Sequence, residues 1–249
     1  AGTLLFFIPA TGDYINAELL GTPKQYMIGN VIQSAFLVRL DYPQGAELYI
    51  SDRQGGHVKR LTNNAYYEAE VTVSPDGKWI VFGRQIKGNM DLWVMNADGT
   101  GEHQITFTED WQEGAPYFLP DSNTILFRAW KASEYGQRPT PMTIFTIKRD
   151  GSDLKTQTHT HEMNWAPYPT PDGKHFLYVR IEPGSNNWEV YLGELDAGPD
   201  VKPRRLTLDD GFDGFPSISP DGRKMVWTTN RRDAKKAFMS TRMMARGHN

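Results

Sequence analysis

The sequence of 249 residues contains no cysteine. Disulfide bonds, thiolate metal sites and a cysteine nucleophile are therefore excluded. The sequence also lacks an uninterrupted apolar run of about 18 residues, so it predicts no membrane-spanning helix. Its formal net charge is only −3 at pH 7. We therefore expect no broad basic surface of the kind that binds nucleic acid.

Catalytic and nucleotide-binding motifs are missing as well. There is no Gly-x-Ser-x-Gly nucleophile elbow and no glycine-rich phosphate loop. No serine, histidine and aspartate can be grouped into a triad from the surrounding sequence. Hydrophobic residues make up 39% of the chain and aromatic residues 12%. This composition predicts a folded domain with a packed core rather than a disordered segment.

One turn motif recurs along the chain. Its four copies are Ser74-Pro75-Asp76-Gly77, Leu119-Pro120-Asp121-Ser122, Thr170-Pro171-Asp172-Gly173 and Ser219-Pro220-Asp221-Gly222. Proline presets φ for the second position of a turn, and Asp and Gly complete the turn without strain. The copies lie roughly 45 to 51 residues apart, which is typical of one β-propeller blade per copy.

Alternating apolar residues follow each turn, as expected for a strand with one packed face. These pairs are Ile80 and Phe82, Ile125 and Phe127, Phe176 and Tyr178, and Met225 and Trp227. A second hairpin then ends in Leu-Thr or a similar pair. The pattern predicts an all-β propeller, six-bladed, with four-stranded antiparallel blades. A single domain, 1–249, would comprise units of about 1–20, 21–62, 63–106, 107–158, 159–207 and 208–249, with an incomplete first blade.

The turn Ser74–Gly77, the strand Trp79–Phe82 and the segment Asp91–Thr100 together resemble the TolB-like repeat, also called the WD40-like or PD40 repeat. The resemblance implies a β-propeller. The best-known member of that family is periplasmic and acts through protein–protein contacts in an envelope complex. Related propellers include regulatory domains of serine peptidases and pectin-degrading lyases, so the fold does not define an activity.

We expect a non-catalytic interaction or scaffold propeller, periplasmic or otherwise extracytoplasmic, that binds a protein partner. Two alternatives stay open. One is a metal-dependent polysaccharide lyase or hydrolase that acts at the channel mouth, with Glu113, His159 or His161 holding the metal. The other is an accessory subunit of a larger envelope complex, peripherally associated with it.

One repeat position always carries an oxygen-bearing side chain. Six residues before each turn stand Glu68, Glu113, Asn164 and Asp213. Each should begin the innermost strand of its blade, so the four would converge at one mouth of the central channel. Carboxylate and amide oxygens suit calcium. The sequence therefore predicts a calcium site there, or alternatively side chains that only hydrogen-bond adjacent loops.

Aromatic, arginine and histidine side chains are concentrated in loops that should border the same mouth. Such residues are the usual anchors of protein interfaces. The alternative is that they pack between neighbouring blades. The candidate partner-binding residues are Tyr67, Trp111, Arg128, Trp130, Tyr135, Arg138, His159, His161 and Trp188.

Overall fold

The computed structural model describes residues 47–231, except 182, 183, 185 and 186. The predicted units 1–20 and most of 21–62, as well as the end of 208–249, lie outside the described residues. Within them the regular structure is almost entirely β-strand, with one short 3₁₀ turn at Ala132–Glu134. No helix in this part of the chain is long and apolar enough to cross a membrane.

Sixteen short strands follow one another along the described chain. They are β1 (Tyr49–Ile50), β2 (Lys59–Arg60), β3 (Tyr67–Val73), β4 (Trp79–Ile86), β5 (Asn89–Asn96), β6 (His103–Gln104), β7 (Trp111–Phe118), β8 (Thr124–Lys131), β9 (Thr143–Lys148), β10 (Lys155–Thr156), β11 (Asn164–Pro169), β12 (His175–Ile181), β13 (Trp188–Glu194), β14 (Arg204–Arg205), β15 (Asp213–Ile218) and β16 (Met225–Thr229).

Consecutive strands pair antiparallel, so the order in each sheet follows the order in the chain. Three sheets have four strands each: β3 to β6, β7 to β10, and β11 to β14. The pairs β1–β2 and β15–β16 lie before and after them. The all-β propeller with four-stranded antiparallel blades is thereby confirmed. The number of blades in the whole chain stays a prediction.

The recurrent turn owes its sequence to local hydrogen bonds. In the first copy, Asp76 Oδ1 accepts hydrogen bonds from Ser74 Oγ at 2.5 Å and from the backbone N–H of Lys78 at 3.1 Å. Gly77 has φ +74°, a left-handed conformation that glycine adopts at little cost. The carboxylate therefore fixes the turn that joins the first two strands, and the left-handed position is occupied by Gly77 here and by Ser122, with φ +56°, in the second copy.

The threonine at the end of each outer strand is also structural. Thr106 Oγ1 accepts a hydrogen bond from the backbone N–H of Leu92 at 2.8 Å, and Thr158 Oγ1 accepts one from Ile144 at 2.9 Å. Thr62 and Thr207 make the equivalent bonds in the sheets before and after. Because these threonines are buried, the hydroxyl satisfies a backbone donor that water cannot reach.

The hydrophobic core lies between neighbouring sheets. One cluster joins Val81, Leu92 and Val94 to Ile125 and Phe127 of the next sheet. Further clusters of the same kind form between the later sheets. Face-to-face packing of successive sheets is how a propeller buries the apolar side of each blade.

Every inner strand contains a β-bulge at the same place. The register shifts once in each of β3, β7, β11 and β15. The residues at the bulges have positive φ although none is glycine: Glu70 (+55°), Ala115 (+49°), Ala166 (+49°) and Phe215 (+51°). A bulge bends a strand and turns its side chains in a new direction. This repeated kink shapes the innermost edge of the sheets.

Candidate functional site

One face of the propeller collects the beginnings of the inner strands and the loops between the second and third strands. Trp111 at the start of β7 pairs with Lys131 at the end of β8, and Asn164 pairs with Arg180 in the next sheet. A bridge between Met142 and Met163 brings the loop before β9 beside the start of β11. We call this face the channel-mouth face.

Two of the four predicted calcium ligands are neutralised within their own sheets. The Glu68 carboxylate accepts hydrogen bonds from Arg84 Nε at 2.7 Å and from Asn64 Nδ2 at 2.8 Å. The Asp213 carboxylate accepts a hydrogen bond from Trp227 Nε1 at 2.9 Å and forms an ion pair with Arg231. Both carboxylates are buried, so these local partners replace the water that each has lost.

Glu113 is buried, and no ion-pair partner lies beside it among the residues that the structure describes. The residue is 2% exposed, and its Oε1 accepts a hydrogen bond from Thr108 Oγ1 at 2.6 Å. Oε2 has no hydrogen-bond partner within the described part of the chain. Burial raises the pKa of this carboxyl to about 8, and the charges of Asp91 and Asp110 act in the same direction. With this pKa, Glu113 is mostly protonated at pH 7.

Asn164 occupies the same repeat position in the next sheet and is completely buried. Its Nδ2 donates to the carbonyl oxygens of Met142 at 2.9 Å and Glu162 at 3.1 Å. Its Oδ1 has no partner among the residues described. The amide therefore links the third-strand loop of one sheet to the inner strand of the next.

The four side chains share one register position in successive sheets. No group of three or more His, Asp or Glu residues is arranged to hold a metal ion in the portion of the chain that is described. Glu68 and Asp213 bond within their own sheets, and Asn164 also bonds to the loop of the preceding sheet. Hydrogen bonds to adjacent loops are what the alternative interpretation describes. The calcium ion stays a prediction for which these residues supply no ready ligand cluster.

A first aromatic group lies at the end of β8 and on the loop that joins β8 to β9. The Trp130 and Tyr135 rings have centroids 5.5 Å apart, and Tyr135 is 74% exposed. His161 Nε2 lies 3.4 Å from Glu134 Oε1 of the same loop. Arg138 is exposed, and its guanidinium donates to the Gln137 carbonyl at 3.3 Å. The predicted residues of this loop thus share one exposed region.

A second aromatic group surrounds the start of the last two inner strands. The Trp165 ring contacts Trp188 with centroids 5.6 Å apart and Phe215 with centroids 4.7 Å apart. Phe212 completes the group, 5.5 Å from Trp188. Phe215 is 56% exposed. We call these two groups together the aromatic patch: Trp130, Tyr135, Trp165, Trp188, Phe212 and Phe215.

Other predicted partner residues have structural contacts. Trp111 packs edge-on against Phe145, with ring centroids 5.5 Å apart, and is partly buried against a core cluster. Arg128 Nη2 pairs with Glu70 Oε1 of the preceding sheet at 3.0 Å. Tyr67 is half-buried, and burial raises the pKa of its hydroxyl. His159 Nε2 lies 3.0 Å from the Ala197 carbonyl oxygen.

The sequence interpretation missed Glu70, Trp165 and Phe215. Glu70 reaches across to the next sheet, where Oε2 accepts a hydrogen bond from the backbone N–H of Ala115 at 2.8 Å. Glu70 and Phe215 stand two residues after the predicted ring position, at the bulge. A search of that second repeat position could have found Glu70 and Phe215, although the side chains at that position differ in chemical type.

Comparison with known proteins places this architecture in a family. The family model of the tricorn protease N-terminal β-propeller domain matches residues 42–198. The chain belongs to this family. The match covers strands β1 to β13, that is, the first pair, two complete sheets and all but the last strand of the third. The resemblance of the repeat to TolB-like propellers is confirmed by structural similarity to TolB from Acinetobacter baumannii. That structure aligns with a TM-score of 0.63 at 21% identity, covering 76% of this chain and 44% of that chain.

Curated relatives of this tricorn-type propeller differ in what is known of them. An uncharacterized protein of Agrobacterium fabrum is 28% identical over 189 residues, covering 72% of this chain and 62% of that protein. Dipeptidyl-peptidase 5 of Porphyromonas endodontalis is 23% identical over 232 residues, covering 75% of this chain and 33% of that enzyme. The chain thus spans less than two thirds of the length of these relatives. The similarity establishes a fold shared by peptidase and TolB proteins.

Proposed function

We propose that this chain is a non-catalytic propeller of the TolB-like type that binds a protein partner through its channel-mouth face. The aromatic patch carries the proposal. Interface hot spots are enriched in Trp and Tyr, and they combine exposed rings with a rigid, well-packed surround. Tyr135 and Phe215 are 74% and 56% exposed, and tryptophans pack against both.

The scaffold below the patch is suited to presenting it. The buried amide of Asn164 ties the β9 loop to β11, and the Glu70 carboxylate ties β3 to the bulge of β7. Because these contacts hold neighbouring sheets together, the rings stand on a rigid base. Rigid aromatic anchors lose little conformational entropy when a partner binds.

The experiment that tests this proposal compares capture of partners by three forms of the chain. The wild type, a Tyr135→Ala/Phe215→Ala double variant and a Leu154→Ala control are each immobilised and exposed to an envelope extract from the native source. Leu154 is also exposed, at 57%, but it precedes β10 at the other end of its sheet. Captured proteins are identified by mass spectrometry, and the affinity of the purified partner is then measured.

We expect a stoichiometric partner whose Kd rises about tenfold or more in the double variant and is unchanged in Leu154→Ala. Both rings are exposed, so the melting temperature of the double variant should stay close to that of the wild type. Equal retention of every captured protein by all three forms would show that the patch is not the binding surface.

A periplasmic or otherwise extracytoplasmic location, with peripheral attachment to an envelope complex, accompanies this proposal. It is supported by the TolB-like repeat and by the structural similarity to TolB. Fractionation of native cells measures it directly. Recovery of the chain only with cytosolic proteins would contradict it, whereas co-purification with a fixed set of envelope proteins would favour the accessory-subunit form of the function.

For the domain organisation we propose one ring of six blades over residues 1–249. The three complete sheets fall within the predicted units 63–106, 107–158 and 159–207, and their regular succession supports the count. Small-angle X-ray scattering of the chain distinguishes a closed disc from an open arc.

No observation in the described residues favours the metal-dependent enzyme. Chelator-sensitive activity on a glycan or peptide panel would support that alternative.

A further inference from the structure

The first group of the aromatic patch begins beside a pair of acidic residues. Glu109 and Asp110 are exposed in the segment that leads from β6 into β7. The carbonyl oxygen of Asp110 accepts a hydrogen bond from the backbone N–H of Ala132 at 2.8 Å, and Ala132 begins the loop that carries Tyr135. This hydrogen bond places the acidic pair next to the Trp130–Tyr135 group.

The second aromatic group adjoins an acidic residue in the same way. Asp210 is exposed in the segment that leads from β14 into β15. The carbonyl oxygen of the next residue, Gly211, accepts a hydrogen bond from the backbone N–H of Trp188 at 2.9 Å, and Phe212 follows directly. Acidic residues therefore border the aromatic patch in two of the segments that connect one sheet to the next.

Most of the carboxylates in these two segments have no partner of opposite charge. Asp209 pairs with Arg231 at 3.7 Å, and Lys131 lies against the Trp111 ring with its Nζ 5.5 Å from the ring centre. Arg138 is an exposed cation on the β8–β9 loop. The carboxylates of these segments that form no ion pair within the described part of the chain are Glu109, Asp110 and Asp210. Such carboxylates attract the cationic groups of a partner.

The buried Glu113 is affected by the same negative charge. Thr108, which precedes Glu109, donates a hydrogen bond from Oγ1 to Glu113 Oε1 at 2.6 Å. Burial raises the pKa of Glu113 to about 8, and the charges of Asp91 and Asp110 act in the same direction. The electrostatic potential where β7 begins is therefore negative.

Both acidic segments also expose an apolar side chain. Phe107 is 75% exposed and Leu208 is 61% exposed. Each stands two residues before a carboxylate, that of Glu109 or that of Asp210. In the connecting segment between them the corresponding apolar position is occupied by His159. An exposed apolar side chain next to a carboxylate is suited to a partner that combines apolar and cationic side chains.

We propose that the partner segment bound by the aromatic patch carries lysine or arginine side chains beside its apolar anchors. Glu109, Asp110 and Asp210 bind the cationic groups, and Phe107 and Leu208 extend the apolar surface. This inference rests on the proposed function, because it specifies the chemistry of the partner that the same face binds. Complementary charge selects among partners that have similar apolar anchors.

Titration with three synthetic peptides of equal length tests the proposal. All three carry tryptophan and leucine at the same positions, and the positions between them are lysine in the first peptide, glutamate in the second and serine in the third. We expect the lysine peptide to bind the wild type saturably, about tenfold or more tightly than the serine peptide at low salt. Added NaCl should reduce this difference. Absence of saturable binding by the lysine peptide would overturn the proposal, as would equal binding of the glutamate peptide.

A variant with fewer carboxylates locates the selection for charge. Glu109→Gln/Asp110→Asn should raise the Kd of the lysine peptide about five- to tenfold, because two exposed ion pairs are lost. Glu194→Gln/Asp200→Asn is the matched control. It removes the same charge from exposed positions, and Glu194 pairs with His175 at the opposite end of its sheet. We expect an unchanged Kd in this control. Equal Kd values for the wild type and both variants would refute the location.

The aromatic variant Tyr135→Ala/Phe215→Ala separates this inference from the proposed function. Both double variants should weaken binding of the lysine peptide. Loss of affinity in the aromatic variant alone would show that the patch binds partners without selecting for positive charge, and this inference alone would fail. Loss of affinity in the Glu109→Gln/Asp110→Asn variant alone would show that the aromatic rings do not bind the peptide, and the proposed function would fail together with the inference.

Discussion

Replacement of Glu113 by glutamine should remove a large part of the pH dependence of stability. Glu113 is 2% exposed, and burial raises the pKa of its carboxyl from 4.5 to about 8. The folded state therefore holds this proton more tightly than the unfolded state does. Its contribution to stability is fully present below pH 4.5 and is lost as the pH rises through about 8.

The magnitude follows from the interval between the two pKa values. Each pH unit between them changes the free energy of unfolding by about 1.36 kcal/mol. Over the whole interval the wild type should lose roughly 5 kcal/mol relative to a variant that carries no charge at this position. Glutamine is neutral throughout and keeps an acceptor for Thr108. It alters the absolute stability, but it cannot reproduce the slope.

Urea denaturation at pH 5, 6, 7, 8 and 9 measures this difference. We expect the free energy of unfolding of the wild type to fall relative to that of Glu113→Gln at every step up to about pH 8. Glu109→Gln is the matched control, since Glu109 is exposed in the loop that precedes β7. Parallel curves for the wild type and Glu113→Gln would show that this carboxyl is ionised in the folded protein, and the reasoning would fail.

Two further substitutions test the repeated structural devices. Ala115→Gly should raise the free energy of unfolding by up to about 1 kcal/mol, because Ala115 has φ +49° and glycine adopts that conformation without strain. Ala129→Gly, in the regular strand β8, should lower the free energy of unfolding. Urea denaturation measures both variants. Thr106→Val should lower the free energy of unfolding by about 1–3 kcal/mol, because the Leu92 N–H loses its acceptor inside the core. Thr156→Val on the exposed strand β10 should have little effect, and equal losses from the two threonine variants would contradict the role of the hydroxyl.

The order of strands and the turns could be predicted from the sequence because both depend on local chemistry. The Pro-Asp turn at Pro171 and Asp172 needs only its own residues to form. Alternation of apolar residues such as Phe176 and Tyr178 marks a packed strand wherever the strand lies. The repeat spacing then fixes how often the unit recurs, and hence the propeller architecture.

The partners of the four oxygen-bearing side chains could not be predicted from the sequence. Register placed Glu68, Glu113, Asn164 and Asp213 at one repeat position, and the structure keeps them there. Their chemistry depends on partners from distant segments. Arg84 forms an ion pair with Glu68. Glu113 instead accepts a hydrogen bond from Thr108 and lies near the negative charges of Asp91 and Asp110. One repeat position therefore contains an ion pair in one sheet and a protonated acid in the next.

The sequence by itself determined the β-propeller and its four-stranded sheets, because these follow from turn chemistry and from residues that repeat at a fixed spacing. Only the tertiary structure decided which aromatic rings are exposed and which pack in the core, since Trp111 packs against Phe145 while Tyr135 stays exposed. It also decided the bulges at Glu70 and Phe215. Those features arise where neighbouring sheets meet, and contacts between sheets leave no periodic trace in the chain.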